Sequence, residues 1–221
     1  MIRLNMLVEG ETEETFARDV LGDHLSARKI FPAARSSGGW RSYEAFQREL
    51  ARWTREDRRP EAWFTTMVDL YALPEDFPGK AESAGLQPRE RVRFLEQRWA
   101  DNFRHPRFIP YLQLHEFEAL LLAGPAKAGE LFDGRENAVR RLVELRAKFR
   151  SPEEINDGKE TAPSKRIAAL LPAYAKTKRV IGPLWAKRIG LAALRVQCAH
   201  FGAWLDKLEA LEAGRSAEPA R

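Results

Sequence analysis

Ile2-Arg3-Leu4-Asn5-Met6-Leu7-Val8-Glu9-Gly10-Glu11-Thr12-Glu13 lies at the start of the chain, and its first half reads as a buried strand, a short apolar run that stops abruptly at Glu9-Gly10. From Thr12 to Arg28 apolar residues recur at helical spacing (Phe16, Val20 and, less regularly, Leu21 and Leu25), with Thr12 as the expected N-cap. A strand, a tight turn at a glycine and then a helix make the opening of an α/β unit. Open α/β sheets bind their ligands at the carboxyl ends of the strands, where Glu9 falls. Gly10 permits a tight turn there and leaves room for a phosphate or a metal ion. The plainer alternative is a glutamate that ends a strand and favours the helix N-terminus through its dipole.

The alternation continues outward from this unit. Lys29 to Arg35 reads as a short strand, Ser36-Ser37-Gly38-Gly39 as a turn, and Trp40 to Asp57 as a helix with Tyr43, Phe46, Leu50 and Trp53 on one face. Ala62 to Asp69 is the next strand, again ending on an acid. The prolines and glycine of residues 73–79 exclude regular structure. Arg89 to Arg104 is a charged helix, and Arg107 to Leu114 a strand whose Pro110 implies an edge or a bulge. His115 is expected to open a helix. From Ala126 only helices and loops follow, with Gly182-Pro183 dividing the last pair. The expected fold is α/β, a mostly parallel sheet flanked by helices, with a core at 1–125, a helical C-terminal region at 126–213 packed on it, and a frayed tail at 214–221.

Composition narrows the chemistry. At 44% apolar and 31% charged, the 221 residues are those of a globular protein, and no stretch approaches the ~20 apolar residues a membrane span needs. Met1 to Val8 is too short and too quickly acidic for a signal peptide, so a cytoplasmic location is expected. Cys198 is the only cysteine, which excludes an intrachain disulfide and a thiolate zinc site. A metal would be held by carboxylates, which favours Mg²⁺ or Mn²⁺. The net charge of +5 is compatible with a polyanionic partner, and Lys and Arg are dense between Arg135 and Arg195. No Gly-x-x-x-x-Gly-Lys, Gly-x-Gly-x-x-Gly or Gly-x-Ser-x-Gly motif is present, so ATP hydrolysis, dinucleotide redox chemistry and serine hydrolysis lack support.

Three further constellations accompany Glu9. Met67-Val68-Asp69-Leu70-Tyr71 puts a second carboxylate at a strand end. Two acids converging from separate strand ends form an oxygen-ligand site for a hard cation, although a strand-ending Asp also starts turns. Leu114-His115-Glu116-Phe117-Glu118 offers Glu116 or Glu118 to complete the shell, with His115 as a lesser candidate or a polar cap. In Pro163-Ser164-Lys165-Arg166, Ser164 reads as an N-cap, and the two cations in the first turn oppose the helix dipole. Ser164, Lys165 and Arg166, with Lys159 just before them, would grip a phosphate, or else be solvated cations on a surface turn.

Taken in order, Val8-Glu9-Gly10-Glu11-Thr12-Glu13, Asp69-Leu70-Tyr71-Ala72-Leu73-Pro74, His115-Glu116-Phe117-Glu118-Ala119-Leu120 and Pro163-Ser164-Lys165-Arg166 resemble the domain-of-unknown-function family 4276, a bacterial family allied to the Toprim domains of OLD-type nucleases. The resemblance spans nearly all the chain. It implies a Toprim-like, Rossmann-like sheet and Mg²⁺ held by acids matching Glu9 and Asp69. It also implies an ATPase partner and a role in defence against phage or foreign DNA. Where the second Toprim motif carries its second acid, this chain has Tyr71. The site then holds one metal, recruits Glu116 or Glu118, or is inactive.

The expected function is a metal-dependent nuclease acting on DNA or RNA. Its catalytic residues would be Glu9, Asp69 and Lys165, its metal ligands Glu9, Asp69, Glu116 and Glu118, and Glu13, Tyr71 and His115 secondary candidates. The alternatives are a non-catalytic Toprim-like scaffold that binds an ATPase or nucleic acid, and a phosphotransfer reaction on a nucleotide. Oligomeric state is left open.

Overall fold

The computed structural model describes residues 1–39, 42–155, 158 and 161–215. Five strands, β1 (Ile2–Val8), β2 (Ile30–Ser36), β3 (Ala62–Asp69), β4 (Phe108–Ile109) and β5 (Leu112–Gln113), form a sheet in the order β2-β1-β3, with β4 and β5 both on the far edge of β3. Every pairing is parallel, as helical crossovers require. The first crossover is α1 (Glu11–Phe16), a π turn at Ala17–Leu21 and α2 (Gly22–Ser26); the next two are α3 (Tyr43–Glu56) and α4 (Pro88–Phe103). After β5 come α5 (Glu118–Leu121), α6 (Glu136–Arg146), α7 (Pro163–Leu170), α8 (Tyr174–Ile189), α9 (Leu191–Gln197) and α10 (Ala199–Arg215). No helix among the described residues is long and apolar enough to cross a membrane.

The period of two along β1 divides the core. Leu4, Met6 and Val8 pack on one face with Phe16 and Leu21 of the first crossover and with Trp185, Phe201 and Trp204 of the C-terminal helices. Leu7 packs on the other face with Phe64, Val68, Phe46 and Trp53, and with Val92, Leu95 and Trp99 of α4. A central strand covered on both faces explains the near-continuous apolar run of β1. Asn5, buried in that run, donates to Asp57 at 3.0 Å, and Asp57 also pairs with Arg3 and Arg59 at 2.8 Å.

The C-terminal helices thus share a core with β1. A buried polar joint reinforces them. The Glu153 carboxylate accepts the backbone N–H groups of His200 and Phe201, at the start of α10, and the Arg89 guanidinium at 3.1 Å. His200 Nε2 lies 3.0 Å from Glu96 Oε1, which also accepts the Leu112 N–H.

Five local expectations are corrected. The strand expected over Arg107 to Leu114 breaks at Pro110, which has no N–H to give. Thr65 and Thr66 repair the gap, the first donating to the Ile109 carbonyl at 2.6 Å and the second accepting the Tyr111 N–H at 2.9 Å. The first helix is capped by Gly10, whose N–H donates to Glu13 Oε2 at 2.9 Å, and Thr12 is buried in the first turn. His115 does not open a helix: its φ of 63° makes a left-handed bend, and α5 starts at Glu118. Gly182-Pro183 lies inside α8, which continues to Ile189 because packing overrides propensity there. A β-carbon on Gly182 would sit 3.3 Å from Phe117, Thr12 and Tyr174, so glycine lets α8 approach α1. The last helix extends to Arg215, two residues into the stretch expected to fray.

Gly202 marks another close approach. A β-carbon there would lie 2.7 Å from the Arg195 carbonyl oxygen, which is backbone and cannot swing aside. Gly202→Ala should therefore lower stability by about 1–3 kcal/mol, the usual range for overpacking. Urea unfolding checks this, and an unchanged midpoint contradicts it.

Candidate functional site

β1 connects leftward to β2, and β3 connects rightward to β4, so the strand order reverses between β1 and β3. A crevice at the carboxyl ends of two such strands is the binding place of open α/β sheets. Glu9 follows β1 and Asp69 ends β3. Glu9 is fixed through its backbone: its N–H donates to the Met67 carbonyl, and its carbonyl accepts the Gly39 N–H at 3.0 Å. Its side chain bends across the crevice, Oε2 accepting the Asp69 N–H at 3.0 Å.

A pocket of about 280 Å³ opens here, lined by Glu9, Glu13, Asp69 and Glu118 together with Gly10, Ser36, Gly38, Lys178 and Arg179. Glu13 comes from the first turn of α1 and is 6% exposed; Glu118, at the start of α5, is 4% exposed. Tyr174 of α8 donates its hydroxyl to Glu118 at 3.0 Å.

Burial of four carboxylates together decides their protonation. Desolvation raises the Glu9 pKa, against the lowering effects of the Asp69 N–H and the Lys178 ammonium. Desolvation likewise raises Glu13, with the Glu9 charge adding to it. Asp69 is pushed well above the carboxylate range, first by burial and then by the charges of Glu9, Glu13, Glu118 and Glu116. Burial, seconded by Glu116, raises Glu118 to about 7. Such a cluster holds protons at neutral pH or exchanges them for a cation. Among the described residues Asp69 Oδ1 is buried without a hydrogen-bond partner, an acceptor lacking a positive charge or a donor. An all-oxygen donor set with one acceptor unused fits Mg²⁺ or Mn²⁺. Among the described residues no three acid, imidazole or thiol side chains are gathered in a ready-made ligand shell, so binding requires side chains to turn inward.

The other candidates lie elsewhere. The Glu116 carboxylate is bound by Ser164, which donates its backbone N–H to one oxygen and its hydroxyl to the other at 3.0 Å. Ser164 is not the N-cap expected: Pro163 takes the first helical position and Ala162 the cap, leaving the serine hydroxyl for Glu116. The phosphate grip proposed for this turn is thus filled by a carboxylate. Lys165 and Arg166 do not line the pocket; Arg166 donates to the Thr161 carbonyl at 2.6 Å. Lys159, and Trp40 at the expected start of the second helix, lie outside the described residues. His115 is buried, its Nε2 2.8 Å from the Glu153 carbonyl, and its pKa is lowered by burial. Tyr71 is 41% exposed and packs against the His115 ring at 5.5 Å. The cation facing the acids is Lys178, whose charge opposes the raised pKa values of Glu9, Glu13 and Glu118.

Residues 8–209 match the family model described as Domain of unknown function (DUF4276). No curated protein sequence matches the chain. Among solved structures, the C-terminal region of the OLD protein of Xanthomonas campestris pv. campestris is 17% identical over 98% of each chain, with a TM-score of 0.47. The C-terminal region of the Burkholderia pseudomallei OLD protein is 15% identical over 96% of this chain and 99% of that one, also with a TM-score of 0.47.

Proposed function

The chain belongs to the family described as Domain of unknown function (DUF4276), and on that footing we propose that it is a metal-dependent nuclease that hydrolyses phosphodiester bonds of DNA or RNA. The observation that carries this is Asp69 Oδ1, a buried acceptor with no partner among the described residues, set among four carboxylates at the switch point of a parallel sheet. Glu9, Asp69 and Glu118 would hold Mg²⁺ or Mn²⁺, which when bound supplies Lewis-acid stabilisation of the charge developing on the phosphodiester. Lys178, beside these acids, takes the role expected of Lys165 and stabilises the phosphate oxygens. Glu13, which lines the same pocket and is not among these ligands, would accept the proton of the attacking water. The motif resemblance supports the further parts of the proposal: a Toprim-type site, an ATPase partner, a cytoplasmic setting and a defence role.

The second reading is a non-catalytic scaffold, favoured by Tyr71 standing where the motif has its second acid and packing away from the pocket. Plasmid DNA, single-stranded DNA and RNA incubated with Mg²⁺, Mn²⁺ or EDTA separate the two. A nuclease cleaves with metal and not in EDTA, and Lys178→Ala lowers the rate by about 10²–10³-fold, as removal of a transition-state charge partner does. Equal cleavage in EDTA, or by Glu9→Gln, assigns the activity to a contaminant or another site.

A further inference from the structure

Glu116 and Glu118, two residues apart after β5, are held by different elements. The Glu116 carboxylate is gripped at both oxygens by Ser164 in the first turn of α7. Glu118 turns into the pocket and accepts the Tyr174 hydroxyl from α8. The bend that separates them is pinned as well: His115, at φ 63°, anchors through Nε2 to the Glu153 carbonyl. Three contacts from the C-terminal region thus fix a segment of four residues.

We propose that Ser164 is a positioning residue for the metal centre, locking Glu116 as a strut so that Glu118 alone of the pair faces the cation. This rests on the metal-site reading above. The chemistry favours the division. A carboxylate receiving an N–H and an O–H at a helix N-terminus is already satisfied and favoured by the dipole. Glu116 does not line the pocket, so a cation there could recruit it only by drawing the carboxylate away from the two Ser164 donors. Glu118 accepts the Tyr174 hydroxyl from α8 and lines the pocket, where its other lone pairs can meet a cation. Groups that orient ligands this way commonly contribute 10–100-fold to metal affinity.

The test is calorimetric titration of Mn²⁺ alone into the full chain and four variants. Glu116→Gln keeps an acceptor for the Ser164 N–H and should bind within about threefold of wild type, whereas Glu118→Gln should lose binding. Ser164→Ala keeps its N–H but loses the hydroxyl, and should weaken binding by about tenfold or more. Ser164→Thr restores the hydroxyl and should restore the affinity. A merely structural hydroxyl would lower the melting temperature of Ser164→Ala and leave Mn²⁺ affinity intact, which overturns the proposal. Loss of binding in a folded Glu116→Gln overturns it too, since Glu116 would then be a ligand, while the nuclease reading stands. Wild type that binds no Mn²⁺ removes both.

Discussion

In metal-free buffer at pH 8, Glu118→Gln should melt about 6–12 °C above the wild type, and the gain should vanish below about pH 4.5. The Glu118 carboxyl stands at about 7 in the fold against an ordinary value of 4.5, chiefly because burial disfavours its charged form. Folding therefore favours the protonated acid. That stability is complete below pH 4.5 and is lost as pH rises to 7, a difference worth about 3 kcal/mol. Glutamine removes the titration and still accepts the Tyr174 hydroxyl through its amide oxygen. Glu9, Glu13 and Asp69 are shifted in the same direction, so the wild type's melting temperature should fall between pH 5 and 8. Saturating Mg²⁺ or Mn²⁺ should reverse the fall, because a ligand bound only by the folded state stabilises it. Thermal melts at pH 4.5, 6 and 8 check this. A Glu118→Gln curve that tracks the wild type at every pH would show that the pocket is wetter and less strained than its burial implies.

Asp69→Asn should reduce metal-dependent cleavage by about a thousandfold or more, the several kcal/mol that Lewis-acid stabilisation supplies. The variant should stay folded. Asp69 sits on a strand whose backbone pairs on both sides, and its N–H remains bonded to Glu9. Removing the Asp69 charge, disfavoured first by burial and then by the neighbouring carboxylates, also relieves repulsion, so the melt should hold or rise at pH 8. Loss of activity together with loss of fold would instead make Asp69 a structural residue.

Much of this was legible because its physics is local. β1 and β3 showed as apolar runs ending in an acid, and parallel pairing then brings the strand ends together. Glu9 and Asp69 can be paired from the sequence for that reason. Pro110 signalled a disturbed strand, but the threonine hydroxyls that hold the break together depend on register. Lys178 was one of 37 Lys and Arg residues. Its importance comes from α8 crossing α1 at Gly182, a contact 170 residues apart in sequence that no period or motif encodes. Ser164 misled for a similar reason. It has the residue type of a cap, but Pro163 claims the first helical position, and the partner it serves, Glu116, arrives from the end of β5. His115, read as a cap or a ligand, is turned by a left-handed backbone toward Glu153, a residue with no sequence sign of its burial.

The most direct test of the central claim is calorimetric titration of Mn²⁺ into wild type and Asp69→Asn at neutral pH, both confirmed folded by their melts. A divalent-cation site built on Glu9 and Asp69 predicts saturable binding by the wild type, with proton release as the raised carboxyls give up their protons, and no binding by the variant. A folded wild type that takes up no Mn²⁺, or an Asp69→Asn variant that binds it equally well, would contradict the account.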